Sequence, residues 1–111
     1  AIWIARGGYG TVRIIDRLDF STFLQQPKWI IGFSDITVLH SHIHNLGVAT
    51  LHAIMPYSVP KALDTAKETL QKALFGEAYD FKFAADSSNI TGVSEGLLVG
   101  GNLSIIYSLL G

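Results

Sequence analysis

KWIIGFSDITVLHSHIH, residues 28–44, is the stretch whose reading decides the fold. Its apolar run Trp29-Ile30-Ile31 stops at Gly32, and Ser34 stands on the corner that follows. Asp35–Asn45 then has helical spacing, with Ile36, Leu39 and Ile43 on one face and Gly47 as the stop signal. A strand turning sharply into a helix holds a serine hydroxyl at the top of a sheet. There it lies near the positive helix N-terminus, with backbone N–H groups free to face an oxyanion. Ser34 is therefore a candidate nucleophile; the same spacing also suits a plain helix N-cap.

Strand and helix patterns alternate on both sides of this stretch. Ala1–Ala5 reads as a buried strand that stops at the pair Gly7-Gly8. Thr11–Leu18 reads as a short helix capped by Thr11, with Val12, Ile15 and Leu18 to one side, and Lys28–Ile31 and Val48–Leu51 read as further strands. The alternation predicts an α/β fold, a parallel sheet with flanking helices. Pro56 and Pro60 bracket a loop. Ala62–Phe75 is the clearest helix: Leu63, Ala66, Leu70, Ala73 and Leu74 form its apolar face, Lys61, Asp64, Lys67, Glu68 and Lys72 a solvated one, and Gly76 its end. Tyr79–Phe83 and Gly92–Val99 read as strands on either side of the polar connector Ala84–Thr91. Asn102–Leu110 reads as a final helix after Gly100-Gly101, with Asn102 as its N-cap.

The chain has 111 residues, 49% of them hydrophobic, a formal charge of −1 and no cysteine. That length supports one small core. The balanced charge, with no basic cluster, argues against nucleic acid as a partner, and the missing cysteines rule out disulfide and thiol chemistry. No apolar run approaches the roughly 20 residues of a membrane span, because Thr50 and His52 interrupt Val48–Met55. A start at Ala1 inside a strand pattern, and a stop at Gly111 directly after a helix pattern, predict an internal piece of a longer protein.

RGGYG, Arg6–Gly10, follows the first strand and opens a helix. Glycines there let backbone N–H groups approach a ligand, or simply make a tight turn. The third glycine of the dinucleotide pattern and the lysine of the P-loop are both absent. His40 and His44 share a helix face, but position 41 is serine and the metal-assisting glutamate is missing. His40, His42 and His44 are expected to be ordinary helix residues that bind no metal, and no cofactor is called for.

AIWIARGGYGTVRIIDRLDF (1–20), PKWIIGFSDITVLH (27–40) and EGLLVGGNLSIIYSLLG (95–111), in that order and at those separations, closely resemble the LD-carboxypeptidase family of serine peptidases, which also includes the microcin C immunity peptidases. The resemblance implies a flavodoxin- or Rossmann-like N-terminal domain of a two-domain enzyme: residues 1–83 as the nucleophile-bearing domain, 84–91 as a linker and 92–111 as the start of a C-terminal domain. It implies a Ser-Glu-His triad with Ser34 as nucleophile and with the glutamate and histidine beyond the Gly-Gly-Asn segment, so that the 111 residues alone are inactive. It implies an oxyanion hole from the N–H groups of Asp35 and Gly8, or else Gly7, and substrate contacts from Gly7, Tyr9 and Asn102. The implied reaction is release of the terminal D-alanine from murein tetrapeptides through an acyl-enzyme, in cytoplasmic cell-wall recycling, by a homodimer. Ala53 stands where the family pattern has the glycine of a His-Gly pair, after His52. A microcin C type immunity peptidase, or an α/β binding module that kept the elbow as a structural turn, are the alternative readings.

Overall fold

The computed structural model describes residues 1–110; Gly111, the end of the expected 92–111 segment, lies outside the described residues. Three parallel strands form the sheet in the order β1 (Ile2–Trp3), β2 (Ile30–Gly32), β3 (Leu51–His52). The register pairs Ile2 with Ile30, Trp3 with Ile31, Ile31 with Leu51 and Gly32 with His52. The α/β reading is thus what the chain adopts. The strands are shorter than their patterns. β1 is also less buried than expected, with Ile2 46% and Trp3 42% exposed, because only β2 pairs with it among the described residues.

Between the strands run α1 (Ser21–Gln25) and α2 (Thr37–Asn45), and after β3 come α3 (Asp64–Phe75) and α4 (Leu103–Ser108). α2, α3 and α4 lie within their expected ranges, with Gly47 and Gly76 in the left-handed conformation just past α2 and α3. Thr11–Leu18 does not form the expected helix. It makes two 3-10 turns, Thr11–Arg13 and Ile15–Arg17, and Thr11 caps neither, since its hydroxyl is drawn to Asp35. α1 had no sequence expectation. Asp19 announces it, accepting from the N–H and the hydroxyl of Ser21 in an Asx-type turn.

The core gathers Ile30, Ile36, Ile43 and Met55, with Ile4, Phe20, Phe23, Phe33, Leu39 and Val48 packed around them. β2 is its axis and is buried throughout. A side chain at Gly32 would meet Ile36, Ile4 and Met55 at 3.3 Å, a tight fit that these core side chains would have to yield to, so glycine suits this crowded strand end.

Neither Tyr79–Phe83 nor Gly92–Val99 is a strand. Residues 77–100 run irregularly and exposed, with Val93 and Leu98 almost fully in solvent. A strand needs a pairing partner, and among the described residues these two segments pair with none. Their excursion raises the radius of gyration to 15.5 Å, against about 13 Å for a compact chain of this size. No helix of the described residues is long and apolar enough to cross a membrane.

Candidate active site

In a parallel sheet the segments leaving the carboxyl ends of the strands collect on one edge. Here those are Ile4–Gly10 after β1, Phe33–Ile36 after β2 and Ala53–Met55 after β3. Three backbone or side-chain bonds tie them together: the Tyr57 N–H donates to Ala5 O at 3.0 Å, the Ala53 N–H to Gly32 O at 3.1 Å, and the Trp3 indole to Ile54 O at 2.8 Å.

Ser34 lies on this edge, between the end of β2 and a 3-10 turn, Ser34–Ile36, that leads into α2. Its φ of +61° is the only positive value on a non-glycine residue among those described. L-residues avoid that region at a cost of about 1–2 kcal/mol. Ser34 does not act as a side-chain N-cap: the capping position is Phe33, and no side-chain cap bond is made.

The glycine loop faces this corner. A Cβ built on Gly7 would sit 3.4 Å from the Ser34 Cβ and 3.5 Å from its Oγ, whereas the space around Gly8 is open. Among the described residues, none of the N–H groups of Gly7, Gly8 and Asp35 donates to a protein acceptor. Tyr9 is exposed, with the Arg13 guanidinium 5.9 Å from its ring centroid.

The Asp35 side chain does something the sequence did not disclose. It is buried, and its Oδ2 accepts from the Gly10 N–H at 3.0 Å, the Thr11 N–H at 3.1 Å and the Thr11 hydroxyl at 2.8 Å. Oδ1 is buried with no hydrogen-bond partner. Burial works to raise the pKa, but the bonds from Thr11 and Gly10 outweigh it and hold the carboxyl below its ordinary 3.8.

On α2, His40 is buried between Thr50 and Gly32, His42 packs against Phe20 with ring centroids 4.9 Å apart, and His44 is exposed. The three do not converge. Gly100-Gly101-Asn102 docks on the start of α2: the Asn102 N–H donates to the Thr37 hydroxyl at 2.9 Å, one turn after Ser34. A Cβ on Gly101 would overlap Thr37, so this approach requires glycine. Asn102 caps α4 as expected, its Oδ1 accepting from the Ile105 N–H at 3.2 Å. A separate apolar cleft of about 350 Å³ opens between β3 and α3, lined by Phe33, His52, Leu70, Tyr79 and Phe81 among others, and does not include Ser34.

Residues 1–53, which hold Ser34 and the glycine loop, match the LD-carboxypeptidase N-terminal domain. Over these residues the chain has the sequence of the LD-carboxypeptidase family. The chain as a whole is 42% identical over 119 residues to a Bacillus subtilis protein named probable murein peptide carboxypeptidase, an overlap of 100% of this chain and 37% of that one. It is 30% identical over 122 residues to the murein tetrapeptide carboxypeptidase of Pseudomonas aeruginosa, covering 100% of this chain and 39% of that one. The chain therefore spans little more than a third of the length of these curated relatives. No solved structure matches it.

Proposed function

We propose that this chain is the nucleophile-bearing part of a serine LD-carboxypeptidase that removes the terminal D-alanine from murein tetrapeptides. The observation that carries the reading is Ser34 itself, held at φ +61° on a strand-to-helix corner against the glycine loop. Backbone strain persists where the surrounding structure over-determines it, and it concentrates at functional sites. The names of the relatives supply the substrate class.

In this reading the Ser34 Oγ adds to the carbonyl carbon that joins the third residue of the peptide to D-alanine. A histidine, oriented by a glutamate, takes the serine proton and returns it to the departing amine; both are assigned to sequence beyond Gly-Gly-Asn, as the family resemblance implies. Water then hydrolyses the acyl-enzyme by the same steps in reverse. The tetrahedral oxyanion faces the Asp35 N–H and one N–H of the Gly7-Gly8 pair, two donors left free by the fold. The side-chain amide of Asn102, whose oxygen is spent on the cap, keeps its NH2 for the substrate's backbone or carboxylate. Tyr9 lines the approach. Residues 1–83 are assigned to the nucleophile domain, 84–91 to a linker and 92–111 to the start of the next domain, in a cytoplasmic homodimer.

The test is D-alanine release by the complete protein and by its Ser34→Ala variant. Release abolished in a folded variant supports the assignment; near-normal turnover sinks it.

A further inference from the structure

The loop Arg6–Gly10 holds three glycines in five residues and has little of its own to define its shape. It is fixed at its two ends: the Ala5 carbonyl takes the Tyr57 N–H, and the Gly10 and Thr11 amides converge with the Thr11 hydroxyl on the Asp35 Oδ2. Between these anchors lie Gly7, against Ser34, and Gly8. Asp35 is also the residue directly after Ser34, so the group that grips the loop is joined covalently to the corner it faces.

We infer that the Asp35 carboxylate is a positioning residue for the reaction proposed above, holding the glycine loop in register with Ser34 so that the loop's free N–H and Asp35's own N–H meet one oxyanion. The inference rests on that reading of Ser34. A constraint serving the fold alone has no need of an anion here: Oδ1 is buried without a partner, at a cost to stability, beside a strained Ser34. Charge-assisted bonds are about twice as strong as neutral ones, and a shift of about 1 Å at a catalytic group costs about 100-fold in rate.

The experiment measures kcat and KM for D-alanine release by the complete protein carrying Asp35→Asn, Thr11→Val, Thr11→Ser, the Asp35→Asn/Thr11→Val pair or Ser34→Ala, with thermal unfolding of each. We expect kcat to fall about 10- to 100-fold in Asp35→Asn and several-fold in Thr11→Val, with KM changed little. Thr11→Ser, which keeps the hydroxyl, recovers most of the loss, and the double variant is hardly worse than Asp35→Asn alone, because both changes break one device. A kcat within two-fold of the parent in Asp35→Asn, or in Thr11→Val should the former not fold, overturns the positioning role while leaving Ser34 as nucleophile. Equal losses in kcat and stability without recovery by Thr11→Ser overturn it as well. Turnover retained in Ser34→Ala brings down the underlying reading, whatever the Asp35 variants do.

Discussion

The His40 imidazole donates to the Gly32 carbonyl across 2.9 Å of buried interior, and the chemistry of that acceptor fixes the tautomer. A carbonyl only accepts, so Nε2 carries the proton and Nδ1 is left to accept from the Thr50 hydroxyl at 2.7 Å. Gly32 O takes the Ala53 N–H as well, so α2 and the segment after β3 both hold the strand end from which the Phe33-Ser34 corner springs.

Replacing His40 by leucine leaves the Thr50 hydroxyl unpaired and removes one of the two donors on Gly32 O. We expect a loss of about 1–3 kcal/mol in urea unfolding. A neutral result would mean that water replaces the ring without cost.

Burial, more than any other influence, lowers the His40 pKa below its ordinary 6.5; the Gly32 bond opposes this and nearby His52 adds to it. The unfolded chain then binds a proton more readily than the folded one. His40 thus contributes stability in full above pH 6.5, and that stability is lost as the pH falls through 6.5 toward the lower folded value. Unfolding curves between pH 7.5 and 5 should show this slope in the parent and a flatter one in His40→Gln; identical slopes would refute it.

For Asp35 the sign is that of a depressed carboxylate. Its stabilisation is full above 3.8, the unfolded value, and is lost as the pH falls through its lower folded pKa. Acid unfolding of Asp35→Asn should therefore lack the component that the parent shows below about pH 4.

At position 34 the backbone favours glycine. Ser34→Gly should be more stable than Ser34→Ala by up to about 1 kcal/mol, since removing the Cβ relieves the left-handed φ while adding chain entropy to the unfolded state. Ser34→Val should be the worst of the three. Chemical denaturation ranks them, and a different order would mean that the corner relaxes when its side chain changes.

Gly101→Ala drives a methyl into Thr37 at a φ of +156° that side chains rarely adopt. We expect about 1–3 kcal/mol of destabilisation and undocking of α4, read from the loss of the Asn102–Thr37 contact in amide spectra. Thr37→Ser, which removes the nearer Cγ2 and keeps the hydroxyl, should recover part of it.

The parts of the fold that the sequence disclosed are those written in local chemistry. β2 shows as an apolar run closed by Gly32, α2 and α3 by period and stop glycines, and α4 by the cap of Asn102. The parts it hid depend on distant partners. Tyr79–Phe83 and Gly92–Val99 alternate as strands do, but strand formation is a relation between two segments and among the described residues these pair with none. Thr11 looks like a cap because Asp35 lies 24 residues away, and Asp35 in turn looks like an ordinary acid of a first helical turn. Ser34 was legible as a corner, while its left-handed backbone and its contact with Gly7 rather than Gly8 needed coordinates.

The Asn102–Thr37 contact joins residues 65 apart, whereas Ile2 and Ile30 of the sheet are 28 apart. Loop-closure entropy makes the longer connection costlier by about 0.7 kcal/mol, comparable with the whole net gain from one ordinary hydrogen bond. α4 is also short and largely exposed, while β2 is buried from end to end. Native-state hydrogen exchange should accordingly find two populations of amides, those of β2 opening only with the whole molecule and those of 102–108 opening many times more often. The sheet and the strained serine then persist through openings that carry the Gly-Gly-Asn segment away from Thr37, so that the two sides of this contact part through a local equilibrium much weaker than the stability of the fold.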